Sequence, residues 1–239
     1  VPPSTAAPTT PDLRGSLRAL SVGGVGVLHA GAREIVTGYR KDPVAGRLRL
    51  GRLGLPGDAH VYEHHGGPDK AICVYSLEHY RHWEQTLGLT LPEAAAFGEN
   101  FTVTGLVEAD VELGDVFAVG DAVVQVTQPR APCYKIAARY GVKEMAVLVQ
   151  RAGFTGYLLR VLTEGAVGAG DELRLLTRAG TGVTVAEANR VLNVDKGDLA
   201  GARRVLAVPG LPDSVTAPLQ RRLRERGSAE DLDRLYGEE

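Results

Sequence analysis

The chain has 239 residues, 44% hydrophobic and 23% charged, enough to bury one large core or a medium core with an appendage. Its formal net charge of −2 gives no electrostatic basis for binding nucleic acid or an anionic membrane surface. Two cysteines, Cys73 and Cys133, with no CxxC pair, argue against an iron–sulfur cluster or structural zinc held by this chain and make no secreted disulfide framework.

In chain order, the Pro/Thr/Ala/Ser-rich start lacks a basic segment and an apolar stretch, so residues 1–12 read as a disordered tail rather than a signal peptide. No apolar run reaches bilayer length, and a cytoplasmic location is the default. Thirty glycines and 13 prolines favour short elements joined by tight turns. From about Leu13 to Leu176 most segments read as strands: Arg33 to Gly38, Arg47 to Leu50, Ala71 to Tyr75, Phe101 to Val103, Val116 to Val119, Val123 to Thr127 and Glu172 to Leu175. The turns Gly114-Asp115 and Gly170-Asp171 each precede a strand, as in a curled antiparallel sheet. Helices are expected after Ser76 through Trp83-Glu84, from about Cys133, and over Lys143 to Arg151. Strand–helix alternation is too irregular for a doubly wound sheet, so the class is α+β, predominantly β: a barrel over residues 13–177 carrying a few helices.

The pattern changes after Arg178-Ala179-Gly180-Thr181-Gly182. Thr184-Val185-Ala186-Glu187 forms a capping box, and Val185, Ala188, Val191 and Leu192 recur at helical spacing. Asp195 and Asp198 can open a second helix; Val215, Leu219 and Leu223 mark a third, with a short fourth turn after Ser228. Residues 183–236 thus form a small three-helix module, expected to dock on the barrel through Val185, Leu192, Leu199, Leu206, Val215, Leu219 and Leu223. Arg203, Arg204, Arg221, Arg222 and Arg224 are expected outside.

Two segments carry the chemistry. Gln128-Pro129-Arg130-Ala131-Pro132-Cys133 sets a thiol between prolines, near Arg130 and Lys135, where a helix is about to start. Cations and helix N–H groups stabilise a thiolate, a soft ligand for a redox metal; the bland alternative is a small buried hydrophobe. Cys73, inside an apolar strand, reads as core. In His65-Gly66-Gly67-Pro68-Asp69-Lys70, Gly-Gly-Pro-Asp is turn chemistry, while Gly66 and Gly67 would let backbone approach an anion and Lys70 would add charge. Lys41 taken alone is an ordinary surface lysine. Glu99 and Asn100 fit a plain turn, and Tyr157 and Arg160 share a face only if their segment is helical. His60-Val61-Tyr62-Glu63-His64 matches the H-x-x-E-H zinc motif, but Pro56-Gly57 and Gly66-Gly67-Pro68 leave too little helix for it.

The order and spacing of Gly57-Asp58, His65 to Ala71, Gly98-Glu99-Asn100 and Gln128 to Cys133 resemble the MOSC family, the molybdenum-cofactor sulfurase C-terminal domains, and within it the YiiM-like proteins with a C-terminal helical module. The resemblance implies a MOSC-type β-barrel and the molybdenum cofactor (molybdopterin), in a pyridoxal-phosphate-independent oxidoreductase. It implies Cys133 as metal ligand and catalytic residue. Lys41, His65, Gly66, Gly67, Asp69, Lys70, Glu99, Asn100, Arg130 and Arg160 become candidate cofactor contacts, with Lys41, Lys70 and Arg130 converging on one anion. The implied reaction reduces N-hydroxylated compounds such as hydroxylamino-purines. The chain has no cluster cysteines and no convincing dinucleotide motif, so electrons would come from a separate reductase, with the helical module a candidate docking surface. A non-catalytic cofactor or sulfur carrier, a plain structural barrel, and a homodimer all stay open.

Overall fold

Period-two alternation of apolar residues drives the strands to close around a core. In the computed structural model, which describes residues 12–62 and 65–236 with side chains through 226, the elements run β1 (Arg14–Val22), β2 (Gly26–Ala30), β3 (Arg33–Thr37), β4 (Asp42–Pro43), β5 (Arg47–Leu50), β6 (Ile72–Ser76), α1 (Tyr80–Leu87), β7 (Phe101–Thr104), β8 (Val116–Val119) and β9 (Ala122–Pro129). They continue with α2 (Tyr134–Tyr140), α3 (Met145–Ala152), β10 (Tyr157–Thr163), β11 (Gly165–Gly168), β12 (Glu172–Thr177), α4 (Val185–Asn189), α5 (Leu199–Leu206) and α6 (Asp213–Tyr236). The expected tail lies outside the described residues except for Asp12, as do Glu63 and His64.

Seven strands close in the order β1-β12-β8-β9-β10-β6-β7 and back to β1, with β4 appended to β1. All neighbours are antiparallel except β6 and β7. The closed α+β, mostly β architecture is the one expected. Two expected strands sit outside the barrel: β3 pairs only with β2, and β5 only with β11. Strands β1, β10 and β11 lacked a sequence signal, because Gly, Ser and Arg interrupt their apolar alternation.

Leu17, Leu20, Ile72, Val74, Phe101 and Val124 fill the barrel, and Val183, Val185, Ala188, Val191, Ala202, Val205 and Leu219 of the module join the same core. A second core stacks the β2–β3 hairpin on α1, α2 and α3 through Leu28, Ile35, Trp83, Phe97, Ile136 and Met145. Ser76 precedes a 3-10 turn, Leu77–His79, and gives it no side-chain cap; its hydroxyl bonds the Glu78 carboxylate instead.

In the module, the Thr184 hydroxyl accepts from the Glu187 N–H at 3.1 Å, one half of the expected capping box, while the Glu187 carboxylate goes to Arg190 and Arg204. Helix α4 runs on into a π-helical turn, Arg190–Val194, and Asp198 alone caps α5, accepting from the Gly201 N–H at 2.6 Å. Asp195 ends the π turn rather than opening a helix. Leu199 is only half-buried and lies outside the core; Val191, Ala202 and Val205 take the place expected for it. Arg222 turns inward, donating to the Val191 and Leu192 carbonyls at 2.7 and 3.0 Å, which the π turn leaves short of partners. The third helix and the expected fourth turn are one helix, α6.

Candidate functional site

Strand register sets the floor of the site. Cys73 on β6 faces Leu158 on β10, and Leu158 faces Gln128 on β9. These three lie on one face, opposite the core residues Ile72, Val74, Tyr157 and Leu159. The β9–β10 register shifts at Thr127, whose hydroxyl lies 2.7 Å from the Asp69 carbonyl and 3.0 Å from that of Leu158. This bulge re-aims the chain as it leaves for Arg130 and Cys133. The loops around residues 37–41, 59–66 and 130–135 roof the floor and enclose a cavity of about 430 Å³.

Of the residues expected at a site, Lys41, His65, Gly66, Lys70, Asn100, Arg130 and Cys133 line this one cavity. Cys73 lines it as well, which corrects its assignment to the core: Ile72 and Val74 point inward, and the residue between them faces the cavity. Lys41, Lys70 and Arg130 therefore line the same cavity, but Lys41 is not a surface lysine. It is buried and ion-paired to Asp58, whose carboxylate also accepts from the Gly23 N–H at 3.0 Å and the Asn100 amide at 2.9 Å.

Four expected contacts are directed elsewhere. Glu99 is fully buried and bound to the Tyr80 hydroxyl, the Phe97 N–H (2.9 Å) and the Thr102 hydroxyl (2.8 Å), bracing the turn before β7. Asp69 pairs with Arg160 at 2.8 Å, and Arg160 also donates to the Gly210 carbonyl at 2.8 Å. Those two tie the barrel to the start of α6. Tyr157 and Arg160 lie on a strand, so three residues' separation puts them on opposite faces. Gly67 does not line the cavity, and beside Gly66 the space a side chain would take is filled by the His60 ring, 2.6 Å from an ideal Cβ. With Gly66 at φ +79°, the pair shapes a turn that packs the His60 ring, and only Gly66 presents backbone to the cavity. His60 itself is in no helix, so the zinc motif lacks its scaffold.

The cavity is strongly cationic. Lys135 is only 7% exposed and makes no hydrogen bond or ion pair among the described residues. Arg130 also has no ion pair among them; its guanidinium lies 5.8 Å from the Tyr39 ring centroid. Burial pulls Arg130 down, yet Cys73, Tyr39, Cys133 and Glu99 together hold it above its ordinary value. Burial pushes the Cys73 thiol up. His65, at the cavity mouth, is pushed down to about 4, first by burial and then by Lys135 and Arg130, so it is neutral at pH 7. Buried cations without counter-charges cost several kcal/mol unless an anion joins them. A half-buried thiol beside two such cations fits a ligand that is anionic at one end and a soft metal at the other. Cys133 is the N-cap residue of α2 but makes no capping hydrogen bond. Lys135 was legible as the charge two residues past the thiol; Tyr39 and Asp58 gave no sign of their roles.

A model of the MOSC domain matches residues 61–174, and one of the YiiM-like 3-alpha helix domain matches residues 183–226. The chain is 44% identical over 210 residues to the uncharacterized protein YflK of Bacillus subtilis (strain 168), covering 87% of this chain and 95% of that one. It is 40% identical over 201 residues to protein YiiM of Escherichia coli (strain K12), covering 82% and 89%. A protein named "Reductase" from Gibberella moniliformis (strain M3125 / FGSC 7600) is 32% identical over 162 residues, 66% of this chain but 29% of that one. The crystal structure of YiiM from Geobacillus stearothermophilus superposes with a TM-score of 0.75 at 32% identity, covering 87% of this chain and 99% of that chain. With identity above 30% across nearly whole relatives, and both domain models in the same order, the chain belongs to the YiiM-like branch of the MOSC domain family.

Proposed function

We propose that this protein is an oxidoreductase that uses the molybdenum cofactor to reduce N-hydroxylated compounds, with electrons from a separate reductase. The observation that carries the reading is the juxtaposition, in one cavity, of the Cys133 thiol with the buried Lys135 and half-buried Arg130 cations. MOSC domains are associated with molybdenum cofactor binding, and one relative is named a reductase. Cys133 would ligate the metal, while Lys135, Arg130 and Lys70 would hold the anionic end of the pterin. When bound, the cofactor supplies a metal that accepts two electrons and passes them to the N–O bond. The balanced reaction is R–NHOH + 2 e⁻ + 2 H⁺ → R–NH₂ + H₂O. The chain's own work is to bind and orient the ligands, with the lining residues of the loops at 59–62, 65–66 and 130–135 around them.

The test is metal analysis of protein made in a molybdenum-supplied host, followed by reduction of a hydroxylamino-purine or an amidoxime by the loaded protein. Stoichiometric molybdenum and turnover, both abolished in Cys133→Ser, are expected. Molybdenum without turnover would turn the reading into that of a carrier; no molybdenum would overturn it.

A further inference from the structure

The sidewall of the cavity holds a group with no assigned task. Tyr39 is 8% exposed and lines the cavity, yet its hydroxyl has no hydrogen-bond partner among the described residues. Leaving a buried phenol unpaired is costly, so such groups call for a partner from outside the chain. Arg130 and Arg139 each lie 5.8 Å from the ring centroid. A guanidinium can only donate, so it leaves the phenolic hydrogen without an acceptor. The ring is held in place: the Tyr39 N–H donates to the Thr37 hydroxyl at 3.1 Å, and Gly98, at φ +74°, packs so closely that a Cβ there would lie 2.8 Å from the Tyr39 carbonyl and 3.1 Å from the ring.

We infer that Tyr39 is a substrate-contacting, specificity-determining residue whose hydroxyl donates a hydrogen bond to the oxygen of the substrate's N–O group. This rests on the N-hydroxy reduction proposed above. Tyr39, Arg130 and the Cys133 thiol line the same cavity, with the Arg130 guanidinium 5.8 Å from the Tyr39 ring centroid. Burial pushes the phenol well above its ordinary value despite the arginines, so it stays a donor at neutral pH. The amine product has lost the oxygen and with it this bond, which favours release of product over substrate.

Tyr39→Phe keeps the ring, its packing on Gly98 and its contacts with the arginines. Because the phenolic hydrogen has no acceptor in the free protein, the thermal midpoint should fall little; a large drop would mean the hydroxyl has an internal acceptor and would overturn the inference. In molybdenum-loaded protein, the variant should keep its metal content. Its KM for 6-hydroxylaminopurine should rise about tenfold, with the inhibition constant of adenine unchanged. An unchanged KM, or equal weakening of both ligands, would overturn the role while leaving the proposed reaction standing. Protein carrying ζ-¹³C tyrosine provides a readout independent of turnover: the Tyr39 resonance should shift with 6-hydroxylaminopurine and not with adenine. That shift in a protein with no turnover would sink the reaction and keep Tyr39 as the oxygen-recognising group. Absence of the shift would remove the role.

Discussion

At the scale of single residues, the site is governed by which charges have partners. Asp58 neutralises Lys41, fixes Asn100 and bonds the Gly23 N–H. Removing it strands a buried ammonium, so Asp58→Ala should cost about 3–5 kcal/mol, read as a lower urea midpoint. A loss below 1 kcal/mol would mean Lys41 reaches water or another partner. The two thiols should also be distinguishable, because reactivity follows the thiolate. Burial holds the Cys73 thiol above its ordinary value of 9.0. In Cys133→Ser, labelling of Cys73 should therefore be slow at pH 7 and climb about tenfold per pH unit to at least pH 9. A plateau below pH 9 would contradict the buried setting. Cys73 was read from sequence as core because its neighbours are apolar; alternation along β6 instead gives its side chain the cavity face.

At the scale of elements, the helical module is stapled by its first helix. Glu187 accepts from Arg190 at 3.0 and 3.1 Å and from Arg204 at 2.6 Å, and Arg190 also reaches Asp195 and Asp198. The Arg190 hydrogen bonds, and then those of Arg204, hold the Glu187 carboxyl below its ordinary value of 4.5. A depressed folded-state value means stability fully present above pH 4.5 and lost as pH falls through the folded value. Because the carboxylate is partly open to solvent, Glu187→Gln should cost only about 1 kcal/mol at pH 7. Urea melts of wild type and variant should converge as pH falls below 4.5; a difference independent of pH would point to packing instead of charge. The capping box at Thr184 was legible because its signal is local. The inward turn of Arg222 was not, since it answers carbonyls freed by a π turn no local pattern announces.

At the scale of the molecule, barrel and module share one core: Val183, Val185, Ala202, Val205 and Leu219 sit in the same cluster as Phe117 and Val124. Cutting the chain before Val183 would bare that apolar surface, and residues 12–182 alone should aggregate or show collapsed, undispersed amide spectra. A well-dispersed monomeric fragment would show that the interface is dispensable. Deletion is thus no test of reductase docking; charge reversal is. Arg190 and Arg204 pair with Glu187 and Asp198 and Arg222 is turned inward, while Arg203, Arg224 and Arg221, which lies 3.8 Å from Glu225, are exposed on the module. If they meet an acidic donor, R203E/R221E should slow turnover several-fold with a protein reductase at low salt and leave turnover with dithionite unchanged. Equal rates with both donors would remove the module from electron delivery.

What the sequence determined alone was whatever rests on short-range physics. Alternating apolar residues made β6, β8, β9 and β12 readable, a hydroxyl and a carboxylate three apart marked α4, and the basic, proline-flanked Cys133 marked the site. Tertiary structure decided which face each residue presents and which charges meet. Closure of the barrel turned Cys73 and Gln128 outward to a floor that distant loops roof. It drew Asp58 to Lys41 and Asp69 to Arg160, withdrawing Asp69 and Arg160 from the cavity. Glu99 was spent on its own turn, and among the described residues Lys135 makes no ion pair and the Tyr39 hydroxyl finds no acceptor. Charge pairing across 17 and 91 residues depends on where chain closure brings side chains, and no local periodicity encodes that distance.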